Sequence, residues 1–144
     1  MIGIVVTVHG QFAEGMHSSA VMIAGENEHI KYVCFKEGMG LEELSEQLSA
    51  AYNELAACDG IVVLSALPGG SPFKAAVEAS MGHPDKQIVV LSGTHLPMII
   101  TASTMLSFDS DPQALADELM FEGKDNVVRF ELAVREEVEE EDGI

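Results

Sequence analysis

Basic residues and cysteine are scarce in this sequence of 144 residues, and tryptophan is absent. Seven Lys and Arg stand against 24 Asp and Glu, which gives a net charge of −17. A surface this acidic repels phosphate backbones, which argues against nucleic acid and anionic membranes as partners and favours a basic protein. Cys34 and Cys58 lack C-x-x-C or metal-ligand spacing, so we expect two buried, reduced thiols.

Long apolar runs and targeting segments are also missing. The chain opens directly into the short apolar stretch Ile2–Val8, with no basic region before it and no small-residue cleavage site after it. We therefore predict neither a secretory leader nor a transmembrane helix, and we expect the cytoplasm as the compartment. No Walker lysine motif or acidic metal cluster is present, which argues against nucleotide hydrolysis. We predict no metal and no other cofactor.

Apolar runs and helical stripes alternate along the chain. Runs rich in β-branched residues predict buried parallel strands, and apolar residues at three- and four-residue steps predict helices between them. The predicted strands are Ile2–Val8, Ile30–Phe35, Gly60–Ser65, Gln87–Ser92 and, as an alternating edge strand, Val127–Leu132. The predicted helices are Phe12–Ala24, Leu41–Ala56, Ser71–Met81, Leu96–Leu106 and Pro112–Glu122.

This alternation predicts a single three-layer α/β domain over residues 1–132. Right-handed crossovers place helices on both faces of a mainly parallel sheet, for which we predict the strand order 2-1-3-4 and an antiparallel C-terminal edge strand. Residues 133–144 are dominated by Glu and Asp, and we predict that they form a disordered acidic tail.

The sheet topology predicts where a ligand would bind. In an open α/β sheet, ligands bind beyond the carboxyl ends of the strands, where the strand order reverses, here between strands one and three. The first strand leads into His9-Gly10, and the third leads into the turn Gly69-Gly70-Ser71 ahead of a helix. An imidazole would therefore face glycine amides, a serine hydroxyl and a helix N-terminus, which are groups that favour phosphoryl oxygens.

This pairing of a nucleophile with an anion-binding turn predicts phosphoryl transfer through a phosphohistidine. Such transfer needs positioning and charge stabilisation more than further covalent chemistry, and another protein would supply the activated phosphoryl group. Alone, a strand-end histidine is usually structural and Gly-Gly-Ser-Pro is a turn, so the prediction rests on their combination. Candidate cleft-lining residues are Ala66, Thr94 and His95, whereas the histidines predicted to be peripheral are His17, His29 and His83.

Several short motifs occur together around these loops. They are Val8-His9-Gly10, Gly69-Gly70-Ser71-Pro72-Phe73, Ala75-Ala76, Gly93 and Leu96-Pro97-Met98. In this combination the sequence resembles the mannose-type enzyme IIA components of bacterial sugar phosphotransferase systems, over residues 1 to about 132.

The resemblance implies a role for each part of the chain. His9 would accept a phosphoryl group from phospho-HPr and pass it to enzyme IIB, which phosphorylates a sugar delivered through a membrane IIC/IID complex. The groups that would hold the phosphoryl oxygens belong to Gly10, Gly69, Gly70 and Ser71. The resemblance also implies a homodimer in which the strand Val127–Leu132 is exchanged between subunits.

One position departs from the resemblance. The family usually has an Asp three residues before the first glycine of Gly-Gly-Ser-Pro, where it can orient the histidine, and this chain has Ala66 there. Without that carboxylate, Ser65, a backbone carbonyl or water would have to set the tautomer of His9. Two alternatives stay open: a regulatory relative that docks partners without transferring phosphate, which Ala66 suggests, and a phosphoryl donor subunit of a dihydroxyacetone kinase, whose enzyme IIA-like domain also has a strand-end histidine.

Overall fold

Four strands alternate with helices, as the apolar pattern predicts. The computed structural model describes residues 1–108 and 110–132. Its strands are β1 (Ile2–His9), β2 (Ile30–Phe35), β3 (Gly60–Leu64) and β4 (Ile88–Leu91). Its helices are α1 (Phe12–Ala24), α2 (Leu41–Glu54), α3 (Ser71–Met81), α4 (Leu96–Met105) and α5 (Pro112–Asp125). The ends of these elements differ from the predicted ends by a few residues.

The sheet has the predicted strand order, β2-β1-β3-β4, and all its pairings are parallel. In the register of β1, His9 lies opposite Phe35 on β2, and Val6 lies opposite Leu64 on β3. The carboxyl ends of β1, β2 and β3 therefore meet at one edge of the sheet. This edge contains the point between β1 and β3 where the order reverses.

Helices cover both faces of the sheet, and alternate residues of β1 enter different layers. Ile4, Val6 and Val8 pack with the buried side chains of α1, α4 and α5. Val5 packs on the opposite face with those of α2 and α3. Because side chains alternate along a strand, Thr7 and His9 share the α2/α3 face with Val5. This three-layer arrangement confirms the predicted fold class.

The fifth strand predicted over Val127–Leu132 is not part of this sheet. Within the described residues these positions form no strand, and the large apolar side chains among them are between 76% and 90% exposed. Helix α5 ends at Asp125, and the side-chain amide of its C-cap, Asn126, donates to the Glu122 carbonyl. As a strand of this chain's own sheet, the prediction is wrong, because alternation shows only that a segment suits a sheet edge. Exchange with a second copy stays a prediction.

Two further sequence predictions concern the acidic tail and the absence of a transmembrane helix. The acidic tail predicted at residues 133–144 lies outside the described residues. In the ranges that are described, no helix is long and apolar enough to cross a membrane.

Candidate functional site

His9 is the last residue of β1 and is exposed at the carboxyl edge of the sheet. Gly10 follows it with a φ of 65°, a conformation that side chains other than glycine rarely adopt, and the chain turns there into α1. The Gly10 amide donates to the Phe35 carbonyl over 2.7 Å. The turn after β1 is thereby fixed to the end of β2, and the imidazole stays at the surface.

Two neighbours confine the imidazole of His9. The Phe35 ring meets it edge-to-face, with ring centroids 5.8 Å apart and planes inclined by 63°. On the other element, a Cβ added to Gly70 would lie 3.0 Å from His9 Cε1. Glycine at position 70 therefore lets the loop after β3 approach the ring. The two loops chosen from the sequence, after β1 and after β3, lie side by side.

The loop after β3 presents the start of α3 to this histidine. Gly69 has a φ of 75°, and the Gly70 amide donates to the Leu67 carbonyl over 3.0 Å, which closes a tight turn. Gly70 is the N-cap of α3 and Ser71 its first residue, as the predicted bounds of this helix have it, and no side chain of the described residues caps this end. The Gly70 amide is thus already engaged. The first-turn amides of Ser71 and Phe73 have no acceptor within the helix, as at any helix start.

The loops after β3 and β4 are tied to each other beside this turn. The Ser65 hydroxyl donates to the Leu91 carbonyl over 2.6 Å, and the Thr94 amide donates to the Ser65 carbonyl over 3.0 Å. Ala66 packs against the layer of α1, α4 and α5. A methyl group at this position gives His9 no hydrogen-bond acceptor.

The ring of His95, a candidate for lining the cleft, is hydrogen-bonded to α5. Its Nε2 lies 2.7 Å from the Gly123 carbonyl near the end of α5, so this nitrogen carries the proton and donates. A positive partial charge there is favoured by the carboxyl end of that helix. His95 therefore joins the start of α4 to α5.

The other histidines are engaged away from His9. The ring of His17 stacks on Tyr32 and its Nε2 lies 3.1 Å from Glu26, while the ring of His83 contacts Ser49 and Tyr52. His29 lies just before β2, at the opposite end of the sheet. The described residues contain no group of three or more His, Cys, Asp or Glu that could hold a metal ion. The histidine that faces the glycine turn is therefore His9.

The comparison with protein families agrees with this geometry. The profile described as PTS system fructose IIA component matches residues 3–120. The chain belongs to this EIIA family. The mannose-specific EIIAB component of Escherichia coli (strain K12) is 34% identical over 120 residues, which cover 83% of this chain and 35% of that protein. The fructose-specific EIIA component of Bacillus subtilis (strain 168) is 29% identical over 100 residues, or 69% of this chain and 67% of that protein.

Solved EIIA structures share the fold. The EIIA component from Streptococcus agalactiae is 32% identical, with a TM-score of 0.78 over 90% of this chain and 97% of that one. The mannose/sorbose-specific IIA subunit from Enterococcus faecalis is 29% identical, with a TM-score of 0.80 over 93% and 98%. The EIIA chain described here therefore spans nearly the whole of these subunits, and about a third of the length of the EIIAB relatives.

Sequence reasoning missed Phe35, which contacts the imidazole, and the buried Thr7, two residues before His9 on β1. Phe35 could have been found from the register, because strands of order 2-1-3 that end together bring the ends of β1 and β2 into contact. Thr7 could have been found by stepping back two residues from His9 along β1. Its side chain is fully buried, and its Oγ1 has no hydrogen-bond partner among the described residues.

Proposed function

We propose that His9 is the phosphoryl-carrying residue of this EIIA chain, and that it accepts the group from phospho-HPr and passes it to enzyme IIB for sugar uptake. One imidazole nitrogen attacks phosphorus, so a P–N bond forms at His9 while the bond to the donor breaks and its electron pair leaves with the donor. The reverse exchange passes the group on. The observation that supports this most directly is an exposed imidazole against the uncapped start of α3.

The site supplies positioning and electrostatics, which are the main needs of phosphoryl transfer. Phe35 and Gly70 limit how far the ring can turn. The start of α3 carries a positive partial charge and free first-turn amides, which favour a phosphoryl group bearing negative charge. The Ser71 hydroxyl, half-buried at the same helix start, adds a donor. Backbone dipoles and one hydroxyl would thus stabilise the group on His9.

The partners of this reaction follow from charge and from the family. A net charge of −17 favours docking of basic proteins, and it would make association slower as salt is added. HPr and enzyme IIB are the proposed donor and acceptor, with the IIC/IID complex as the later membrane component, and the cytoplasm is where they would meet. The sugar itself is expected to be selected by those other components.

A homodimer is the second partner proposal. Val127, Val128, Phe130 and Leu132 expose large apolar side chains on a segment of alternating pattern, which suits pairing with a second copy at a sheet edge. A Phe130→Asp variant should shift the protein towards monomer in sedimentation experiments. A wild type that is already monomeric at micromolar concentration would contradict the proposal.

The test of the carrier function is phosphorylation in a reconstituted system. The protein is mixed with enzyme I, HPr and phosphoenolpyruvate, and its intact mass is measured beside those of His9→Ala and His29→Ala. We expect wild type and His29→Ala to gain the mass of one phosphoryl group, and His9→Ala to gain none. Labelling of His9→Ala would show that a residue other than His9 carries the phosphoryl group.

The same experiment separates the alternatives. A regulatory relative without transfer, suggested by Ala66, would leave the wild type unlabelled, whereas an Ala66→Asp variant compared at equal concentration would show whether a carboxylate changes the rate. The relatives matched above are sugar phosphotransferase components, which favours sugar uptake over the role of donor to a dihydroxyacetone kinase.

A further inference from the structure

Within the part of the chain that the structure describes, two polar groups on one face of β1 lack hydrogen-bond partners. The hydroxyl of Thr7 is buried with no partner among residues 1–108 and 110–132. In the same ranges, ring hydrogen bonds of histidine occur at His17, His83 and His95 but not at His9. Groups that can bond each other are therefore both unpaired, two residues apart.

The strand geometry places these two groups together. Residues i and i+2 of a strand lie about 6.5 Å apart and point to the same face. Thr7 and His9 lie on the face covered by α2 and α3, and it is at the start of α3 that Gly70 approaches the imidazole. The hydroxyl of Thr7 thus lies inward of the imidazole, towards the core.

The neighbours of Thr7 explain why its hydroxyl is unpaired. On β2 it lies opposite Val33, which has no polar side-chain atom. On β3 the register places it beside Ser65, whose own hydroxyl donates to the Leu91 carbonyl. Valine has nearly the same shape as threonine and would avoid the free-energy cost of a buried, unpaired hydroxyl. A threonine at position 7 with an unpaired hydroxyl therefore makes the fold less stable than a valine would.

We propose that Thr7 is a positioning residue for His9, and that its hydroxyl accepts a hydrogen bond from the ring nitrogen opposite the one that carries the phosphoryl group. This inference rests on the proposed carrier function. The attacking nitrogen must have a free electron pair, so the ring proton must sit on the other nitrogen. An acceptor on the inner side of the ring, reached by a small rotation of the imidazole, selects that tautomer. No proton leaves the ring when the P–N bond forms.

The test compares Thr7→Val with Thr7→Ser and with wild type. Three quantities are measured: the single-turnover rate of transfer from phospho-HPr, the tautomer of His9 from nitrogen-15 NMR, and the melting temperature. Thr7→Val removes the hydroxyl and keeps the shape, so we expect transfer to slow at least about tenfold and the His9 tautomers to mix. We expect its melting temperature to stay within about 4 °C of wild type, which would show that the variant is folded. Thr7→Ser keeps the hydroxyl and should retain the wild-type rate.

The control is Thr101→Val, the same exchange on α4 in the opposite layer, which should leave the transfer rate unchanged. A Thr7→Val protein with wild-type transfer and an unchanged His9 tautomer would overturn the proposal. If wild type is never labelled, the carrier function fails, and the NMR comparison alone decides whether Thr7 contacts His9.

Discussion

The two sides of the sheet differ most where β1 ends. On the side of α1, α4 and α5, the strand contributes Ile4, Val6 and Val8, all buried and apolar up to the edge. On the side of α2 and α3 it contributes Val5, then the buried hydroxyl of Thr7, then the exposed imidazole of His9. One strand thus supplies a rigid apolar face and a reactive face. The comparison predicts that changes on the first side alter stability and that changes on the second alter transfer.

The largest effect is expected from the apolar side. Leu119 on α5 is fully buried, and Leu119→Ala should lower the free energy of unfolding by about 3 kcal/mol because it leaves a cavity. Urea denaturation measures this. Transfer to His9 at 25 °C should stay within about twofold of wild type as long as the protein remains folded. A parallel collapse of the transfer rate would show that the two sides are not separate.

The next effect comes from the reactive side. Gly70→Ala would put a Cβ 3.0 Å from His9 Cε1 and 3.2 Å from the Leu67 carbonyl, which pushes the loop from the ring. We expect single-turnover transfer to fall about tenfold, because small misplacements at reacting groups are costly, with a stability change of about 1 kcal/mol or less. The matched control is Gly15→Ala on α1, where an added Cβ meets nothing within 4 Å. It should gain stability slightly and transfer normally.

A smaller effect tests the aromatic wall of the site. Phe35→Leu keeps an apolar side chain but removes the ring edge against His9, so transfer should slow about threefold, with about 1 kcal/mol lost in stability. Phe35→Tyr, which keeps the ring, should transfer at nearly the wild-type rate. Equal transfer rates for the leucine and tyrosine variants would show that the aromatic ring of Phe35 does not contribute to the site.

The smallest expected effect concerns two tyrosines at alkaline pH, one on each side of the sheet. Burial raises the pKa of Tyr32 from 10.0 to about 12, with a contribution from the nearby Glu26 carboxylate, and burial raises the pKa of Tyr52 further. Because folding raises the pKa of both tyrosines, the stability that their protonated hydroxyls contribute is fully present below pH 10. This stability is lost as the pH rises through the folded-state pKa of each tyrosine. Tyr32→Phe should reduce that loss between pH 10 and 12 by about 1 kcal/mol or less, since Tyr32 is only half-buried. Denaturation at several pH values would measure the difference.

Much of this architecture could be predicted because its signals are local. Fully apolar runs such as Ile2–Val8 indicate strands covered on both faces, and the alternation with helices restricts the strand order. That order by itself predicts that His9 and Gly70 lie together. Fold and candidate nucleophile therefore depended on patterns that a single sequence contains.

The rest depended on contacts between distant residues. Nothing near His95 in the sequence indicates that Gly123 would accept its hydrogen bond. Likewise, the alternation over Val127–Leu132 does not show whether a sheet edge of the same chain is within reach. The unpaired state of the Thr7 hydroxyl follows from what surrounds it, namely Val33 and an already bonded Ser65. Residue types and their periodicity describe a single segment, whereas each of these contacts depends on two segments that are distant in the sequence.

The parallel pairing of β1 also affects how the chain is made. Ile2 pairs with Gly60, so the central strand lacks one of its neighbours until the third strand has been synthesised. At common rates of translation, the apolar segment waits roughly 3–12 s for that partner. Nascent chains halted before residue 60 should therefore aggregate or recruit chaperones, and folding should be slow for a protein of this size because the paired strands of its sheet are far apart in sequence.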